Sequence, residues 1–144
     1  MNFNDVHRWI KRGDVVRLRE ALTNGLDPSL SNKYGWTFLM LAALTGNAVV
    51  GALLIEHGAA VDSRNKLNDT ALSLAIQSGH PSFVDLLVRN GASKDCHPHG
   101  NSLAVFLEWA EEHCPCSPSN MRKIRKTLKC PDSPNTKMIA DESQ

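Results

Sequence analysis

Histidines and cysteines in the last third of the sequence are the side chains best suited to hold a metal ion. Zinc prefers four nitrogen and sulfur ligands in a tetrahedral arrangement. Structural zinc sites commonly place about two to four residues between paired cysteines, whereas a single residue separates Cys114 from Cys116. We therefore predict no metal site, and reduced loop cysteines explain the same residues. The residues considered are Cys96, His97, His99, His113, Cys114, Cys116 and Cys130.

The sequence offers no other pattern that is typical of catalysis. The glycines are spaced to end helices and do not cluster into a loop that could cradle a phosphate. Spacing assigns neither a Ser-His-Asp nor a Cys-His set, and Cys114 and Cys116 are closer than the cysteines of the Cys-x-x-Cys redox motif. We expect a protein that is not an enzyme and that uses no cofactor.

A basic stretch at 121–129 holds five Lys or Arg residues and no acidic one. Met121, Ile124 and Leu128 fall on one face of a helix predicted over about 120–129. Two interpretations stay open. The helix caps the domain with its apolar face, or it serves nuclear import or binds nucleic acid or an anionic membrane. Ser-Pro pairs at Ser117 and Ser133 flank this stretch and are minimal sites for proline-directed kinases. The basic residues are Arg122, Lys123, Arg125, Lys126 and Lys129.

Two series of glycines divide the sequence into units of 33 residues. A fixed period of this length is typical of a stacked repeat architecture. Within each unit the pattern predicts a helix, a turn, a second helix and a loop. The two series are Gly13, Gly46 and Gly79, and Gly25, Gly58 and Gly91.

Hydroxyl residues and glycines set the predicted helix limits. Thr37 and Thr70 stand where an N-cap is needed for the first helix of a unit, and the following glycine of the first series ends it. The second helices are predicted over 48–56 and 81–89, with a proline in the first turn of the latter. A fourth pair of helices is predicted at about 102–112 and 120–129.

The sequence resembles the ankyrin-repeat family, through Gly-Trp-Thr-Phe-Leu-Met-Leu-Ala-Ala-Leu-Thr-Gly-Asn at 35–47 and Leu-Ile-Glu-His-Gly-Ala-Ala-Val-Asp at 54–62. The family signature T-P-L-H-x-A is degraded. Phe38 and Ala71 replace its proline, and Met40 and Ser73 replace its histidine, so the hydrogen bonds between repeats that this histidine usually makes are in question.

This resemblance implies an all-α solenoid of helix-turn-helix units whose tips are loops or β-turns. We expect about 3.5–4 repeats in a domain at 1–130, followed by a disordered tail at 131–144. The repeats are placed at about 2–31, 32–64 and 65–95, with a partial repeat at 98–130.

The resemblance also indicates where a partner binds. In this family partners usually meet the loop tips and the exposed side of the first helices, and Tyr and Trp are frequent anchors in such interfaces. For Trp36 the alternative is a structural role, in which its side chain packs along the row of loops within the fold itself. Carrying the positions over residue by residue gives Lys33, Tyr34, Trp36, Leu44, Lys66, Leu67, Asp69 and Gln77.

Composition and charge limit the classes of protein and partner that fit this sequence. The 42% hydrophobic and 22% charged content is ordinary for a globular domain, and a net charge of +1 gives no general attraction to nucleic acid. We find neither a signal peptide nor an apolar run long enough to span a membrane.

We expect a cytoplasmic or nuclear monomer that acts as an adaptor or inhibitor by binding another protein, with no small-molecule substrate. The alternative is a carrier whose basic helix binds nucleic acid or an anionic membrane.

Overall fold

The computed structural model describes residues 2–94, 102–114 and 116–130. These residues form helices joined by loops, together with one isolated β-bridge between Ser31 and Thr37, which confirms the predicted all-α fold. The helices are α1 (Phe3–Arg12), α2 (Val15–Thr23), α3 (Phe38–Thr45), α4 (Ala48–Glu56), α5 (Ala71–Gln77), α6 (Pro81–Arg89), α7 (Leu103–His113) and α8 (Pro118–Leu128).

The helices pack in two layers. The first helices of the units, α1, α3, α5 and α7, contact one another in that order, and the second helices α2, α4, α6 and α8 do the same. Each first helix also packs on the second helix of its own unit. Such a stack buries one continuous apolar core that no single unit could close. Its largest fully buried rings are Phe38, Phe83 and Phe106.

The helix limits follow the predicted capping residues. The Thr37 hydroxyl accepts a hydrogen bond from Met40 N at 3.2 Å, and the Thr70 hydroxyl accepts one from Ser73 N at the same distance. Gly46 ends α3 in the left-handed region, with φ 73°, where a residue with a Cβ is disfavoured. The bounds of α4 and α6 agree with those predicted.

The last two helices differ slightly from the prediction. Ser102 caps α7 from outside, so the helix begins at Leu103. Ser117 caps α8, which begins at Pro118, two residues earlier than predicted. Proline suits this first position because its missing N–H has no partner there in any helix. The residues at 131–144, including Ser133, lie outside the described residues, and the division into a domain and a tail stays a prediction.

Each unit docks on a glycine of the unit before it. A Cβ on Gly13 would lie 3.2 Å from Asn47 Nδ2, and a Cβ on Gly46 would lie 2.5 Å from His80 Nδ1. Cys116 covers Gly79 in the same manner. An added Cβ would clash with the covering residue at Gly46 and Gly79, whereas at Gly13 the Asn47 side chain would need to shift only slightly. All three glycines have positive φ, where a side chain is disfavoured.

His80, which does not stand at the signature histidine position, makes a hydrogen bond between repeats. Its Nε2 lies 3.1 Å from the Leu44 carbonyl oxygen. A carbonyl only accepts, so Nε2 carries the proton. At the signature positions themselves, Met40 is fully buried. Ser73 instead forms a capping box with Thr70, accepting a hydrogen bond from Thr70 N at 2.9 Å.

Candidate protein-interaction surface

Two consecutive loops fold alike because they share a short pattern, Asn32-Lys33-Tyr34-Gly35 and Asn65-Lys66-Leu67-Asn68. In the first loop, Asn32 Oδ1 accepts hydrogen bonds from the backbone N–H groups of Tyr34 and Trp36, at 2.9 and 3.0 Å. In the second, Asn65 Oδ1 accepts from Leu67 N and Asp69 N at the same distances. An asparagine that closes such a turn fixes the residues after it. The sequence predictions did not include this role, which the 33-residue spacing of the two asparagines signals.

The two loops are also joined to each other. Lys66 N donates a hydrogen bond to the Tyr34 carbonyl oxygen at 3.0 Å. A Cβ on Gly35 would lie 2.9 Å from Asn65 Cα, so only glycine permits this approach. The tips of neighbouring repeats are therefore held side by side, in the same orientation.

The joined tips expose one Lys and one apolar side chain each. Tyr34 is 53% exposed and Leu67 is 69% exposed, and both lysines are exposed as well. Lys33 Nζ lies 5.0 Å from the centre of the Tyr34 ring, within the range of a cation–π contact. We call Lys33, Tyr34, Lys66 and Leu67 the fingertip surface. Leu44, near the end of α3, is a further exposed candidate at 41%.

Three other residues predicted as partner contacts are buried or half-buried. Asp69 is buried, and its Oδ1 accepts hydrogen bonds from Ser73 Oγ and Gln77 Nε2, each at 3.0 Å. Its carboxylate therefore ties the loop to α5, and the prediction that it contacts a partner does not fit this geometry. Gln77 is half-buried in the same network. Trp36 is half-buried against the core, in agreement with the alternative role of packing along the loop row.

Comparison with known proteins settles the family. A family model described as "Ankyrin repeats (3 copies)" matches residues 6–97. The chain belongs to the ankyrin-repeat family. Ankyrin repeats are generally protein–protein interaction modules, and members of the family are typically not enzymes.

Two curated relatives match a shorter part of the chain. "Ankyrin repeat, SAM and basic leucine zipper domain-containing protein 1" of Mus musculus is 40% identical over 47 residues, and the protein of the same name of Rhinolophus ferrumequinum is 38% identical over 47 residues. In both cases the match covers 33% of this chain and 10% of the relative. This chain therefore spans about a tenth of their length.

At the end of the ankyrin stack, α8 is part of the core. Met121, Ile124 and Leu128 are buried, which agrees with the predicted capping face. Arg125 is buried too, and its Nε lies 2.7 Å from Glu111 Oε1 on α7. Its assignment to an exposed basic element therefore does not fit the structure. Of the other basic residues, Arg122 is half-buried, and Lys123, Lys126 and Lys129 are exposed.

Two thiols near this end, Cys114 and Cys116, have raised pKa values. Burial raises the pKa of Cys114, and the neighbouring Cys116 raises it further by electrostatic repulsion. Burial likewise raises the pKa of Cys116, an effect that a backbone hydrogen bond reduces. Within the described ranges no three His, Cys, Asp or Glu residues are grouped to hold a metal ion. The group of Cys96, His97 and His99 lies outside those ranges.

We predict slow alkylation of these two cysteines. A raised pKa leaves less thiolate at neutral pH, and the thiolate is the nucleophile. In the folded chain at pH 7.5, Cys114 and Cys116 should react with iodoacetamide severalfold more slowly than in the same chain unfolded in urea, and the ratio should shrink as the pH rises. Site-resolved mass spectrometry measures both rates. Faster reaction in the folded chain would contradict the prediction.

No helix in the described part of the chain is long and apolar enough to cross a membrane.

Proposed function

We propose that this chain is a non-enzymatic adaptor or inhibitor that binds a partner protein through the fingertip surface and the exposed side of α3. The observation that carries the proposal is the pair of exposed apolar residues at matched positions of two joined loops, Tyr34 and Leu67, with Leu44 as a third. Exposed aromatic and aliphatic side chains that sit on a rigid scaffold are typical anchors of interfaces. We place the protein in the cytoplasm or nucleus, as a monomer.

The test is capture of partners from a cell lysate, read by mass spectrometry. The chain is compared with a Tyr34→Ala/Leu67→Ala variant. A matched control is Val16→Ala/Val49→Ala, which removes two similarly exposed apolar side chains, 68% and 61% exposed, from the second helices α2 and α4.

We expect the fingertip variant to lose at least about nine-tenths of a specific partner, the tenfold drop that corresponds to 1.4 kcal/mol. The control should retain it. Circular dichroism melts must show that both variants fold. A partner retained by the fingertip variant and lost by the control would place the interface on the second helices and overturn the proposal.

The alternative function rests on two lysines of α8 and on Lys129, which caps the end of this helix. Lys123, Lys126 and Lys129 are exposed, and α8 carries no acidic residue, so an anionic surface could meet this helix. Deleting 121–129 would remove buried core residues and cannot test it. A Lys123→Glu/Lys126→Glu/Lys129→Glu variant should abolish binding to duplex DNA or to phosphatidylserine vesicles, and in the unaltered chain that binding should fall steeply with salt. Absence of binding at low salt would exclude this function.

A further inference from the structure

We infer that the partner presents acidic side chains next to apolar ones, and that the fingertip surface recognises both. This inference rests on the proposed function and specifies the chemistry of the partner. Each fingertip places one lysine beside one apolar residue, Lys33 with Tyr34 and Lys66 with Leu67. The repetition of this pair at two joined tips gives two equivalent contact points.

The charges of the loops favour an anionic partner. Asp27 Oδ1 accepts a hydrogen bond from Ser29 N at 2.9 Å, and Asp62 Oδ1 accepts one from Ser93 N at 2.8 Å. These two carboxylates accept hydrogen bonds from the backbone of the loops, whereas the Asp69 carboxylate accepts them from two side chains of α5. Across the described residues, by contrast, neither Lys33 nor Lys66 forms an ion pair. The two ammonium groups are therefore available to a carboxylate of the partner.

The apolar half of the second pair, Leu67, favours a protein over a nucleic acid. Leu67 is the most exposed large hydrophobic residue of the described chain, at 69%, and an aliphatic side chain provides no ring on which a base could stack. When a partner covers Leu67 and Tyr34, the adjacent lysines lose water. Their attraction to a carboxylate grows in the lower dielectric that results. Apolar and acidic contacts therefore strengthen each other at this surface.

One lysine is already positioned for this contact. Lys33 Nζ is 5.0 Å from the centre of the Tyr34 ring, which restricts the lysine before the partner arrives. Restricting a side chain in advance lowers the entropy lost on binding. The Lys66 backbone is fixed as well, by its hydrogen bond to the Tyr34 carbonyl oxygen.

The experiment is a selection of peptides from a random displayed library on the full chain. Selected peptides are then synthesised with a fluorescent label, and their affinity is measured by polarisation. The variants are Lys33→Glu/Lys66→Glu and Tyr34→Ala/Leu67→Ala. The matched control is Lys123→Glu/Lys126→Glu, which makes the same charge change on α8. Labelled duplex DNA is the nucleic-acid probe.

We expect enrichment of peptides that combine Asp or Glu with Leu, Phe or Trp. Both fingertip variants should weaken binding by about tenfold or more, and so should replacement of the peptide carboxylates by amides. The control should stay within about twofold. Affinity should fall moderately as salt rises, because screening acts on the lysine contacts.

Three results would overturn the inference. They are enrichment of no sequence, enrichment of peptides without acidic residues, and affinity unchanged by the lysine reversal. Suppose that the selected peptides lack acidic residues, or bind regardless of the lysine reversal, and yet lose affinity for the Tyr34→Ala/Leu67→Ala variant. In that case the acidic class of partner is wrong and the proposed function stands. If they bind the Tyr34→Ala/Leu67→Ala variant and a Leu44→Ala variant as well as they bind the unaltered chain, both the inference and the proposed function fail. Binding of the DNA probe that depends on Lys33 and Lys66 would assign the surface to nucleic acid instead.

Discussion

Replacing Arg125 with methionine should lower the free energy of unfolding by about 3–5 kcal/mol. The Arg125 side chain is 3% exposed and its partner Glu111 is 13% exposed, with 2.7 Å between Nε and Oε1. Removal of the guanidinium takes away the cation that lies 2.7 Å from this largely buried carboxylate, and the attraction that offsets the desolvation of the charge is lost. Urea denaturation of the full chain, followed by circular dichroism, measures the loss.

The chain provides a matched control for this prediction. Arg89 and Asp85 form a pair of similar distance, 2.9 Å, but their side chains are 77% and 42% exposed. Arg89→Met should therefore cost at most about 0.5 kcal/mol. A Glu111→Leu/Arg125→Met variant should recover most of the loss, since no buried charge remains. If Arg125→Met costs no more than Arg89→Met, the buried pair does not hold α7 to α8.

Gly51→Ala should destabilise the protein by about 2 kcal/mol, although alanine is the better helix former. The gain in helix propensity is about 1 kcal/mol. Against it, a Cβ at this position would lie 2.7 Å from Phe83 Cε2 and 2.9 Å from Leu86 Cδ2. The Phe83 ring is fully buried and cannot move away, so overpacking costs about 3 kcal/mol. Urea denaturation gives the net value.

A double-mutant cycle identifies the cause. In a Phe83→Leu background the ring is gone, and Gly51→Ala should cost much less or become stabilising. An equal cost of Gly51→Ala in both backgrounds would show that contact with Phe83 is not the reason that a glycine stands in the middle of α4.

Local signals in the sequence predicted the helices well. Thr37 and Thr70 act as caps through their own hydroxyls, and Pro81 lies in the first turn of α6. These interactions span only a few residues, so their spacing is visible in the sequence. The predicted start of α8 is two residues late, because the cap is Ser117 and the helix begins at Pro118.

Which candidate side chains are exposed depends on tertiary contacts, and the sequence does not show those contacts. Lys33, Tyr34, Lys66 and Leu67 were proposed as partner contacts, and the structure leaves them exposed; whether they bind a partner stays a prediction. Asp69 occupies a similar loop position, but its carboxylate turns inward to Ser73 and Gln77. The direction of a side chain depends on tertiary neighbours. Arg125 shows the same limit, because Glu111 is fourteen positions away and belongs to another helix.

The glycine contacts between units have a consequence for how such an array changes in length. Asn47 covers Gly13 and His80 covers Gly46, so each joint involves only adjacent units and repeats along the chain. A tandem duplication of 47–79 would place the second Asn47 over Gly46 and His80 over the first copy of Gly79, and it would leave the two outer joints, Asn47 over Gly13 and Cys116 over the last Gly79, as they are. The array can thus gain one unit of 33 residues in frame, and each added unit would add another loop tip to the row that holds Tyr34 and Leu67.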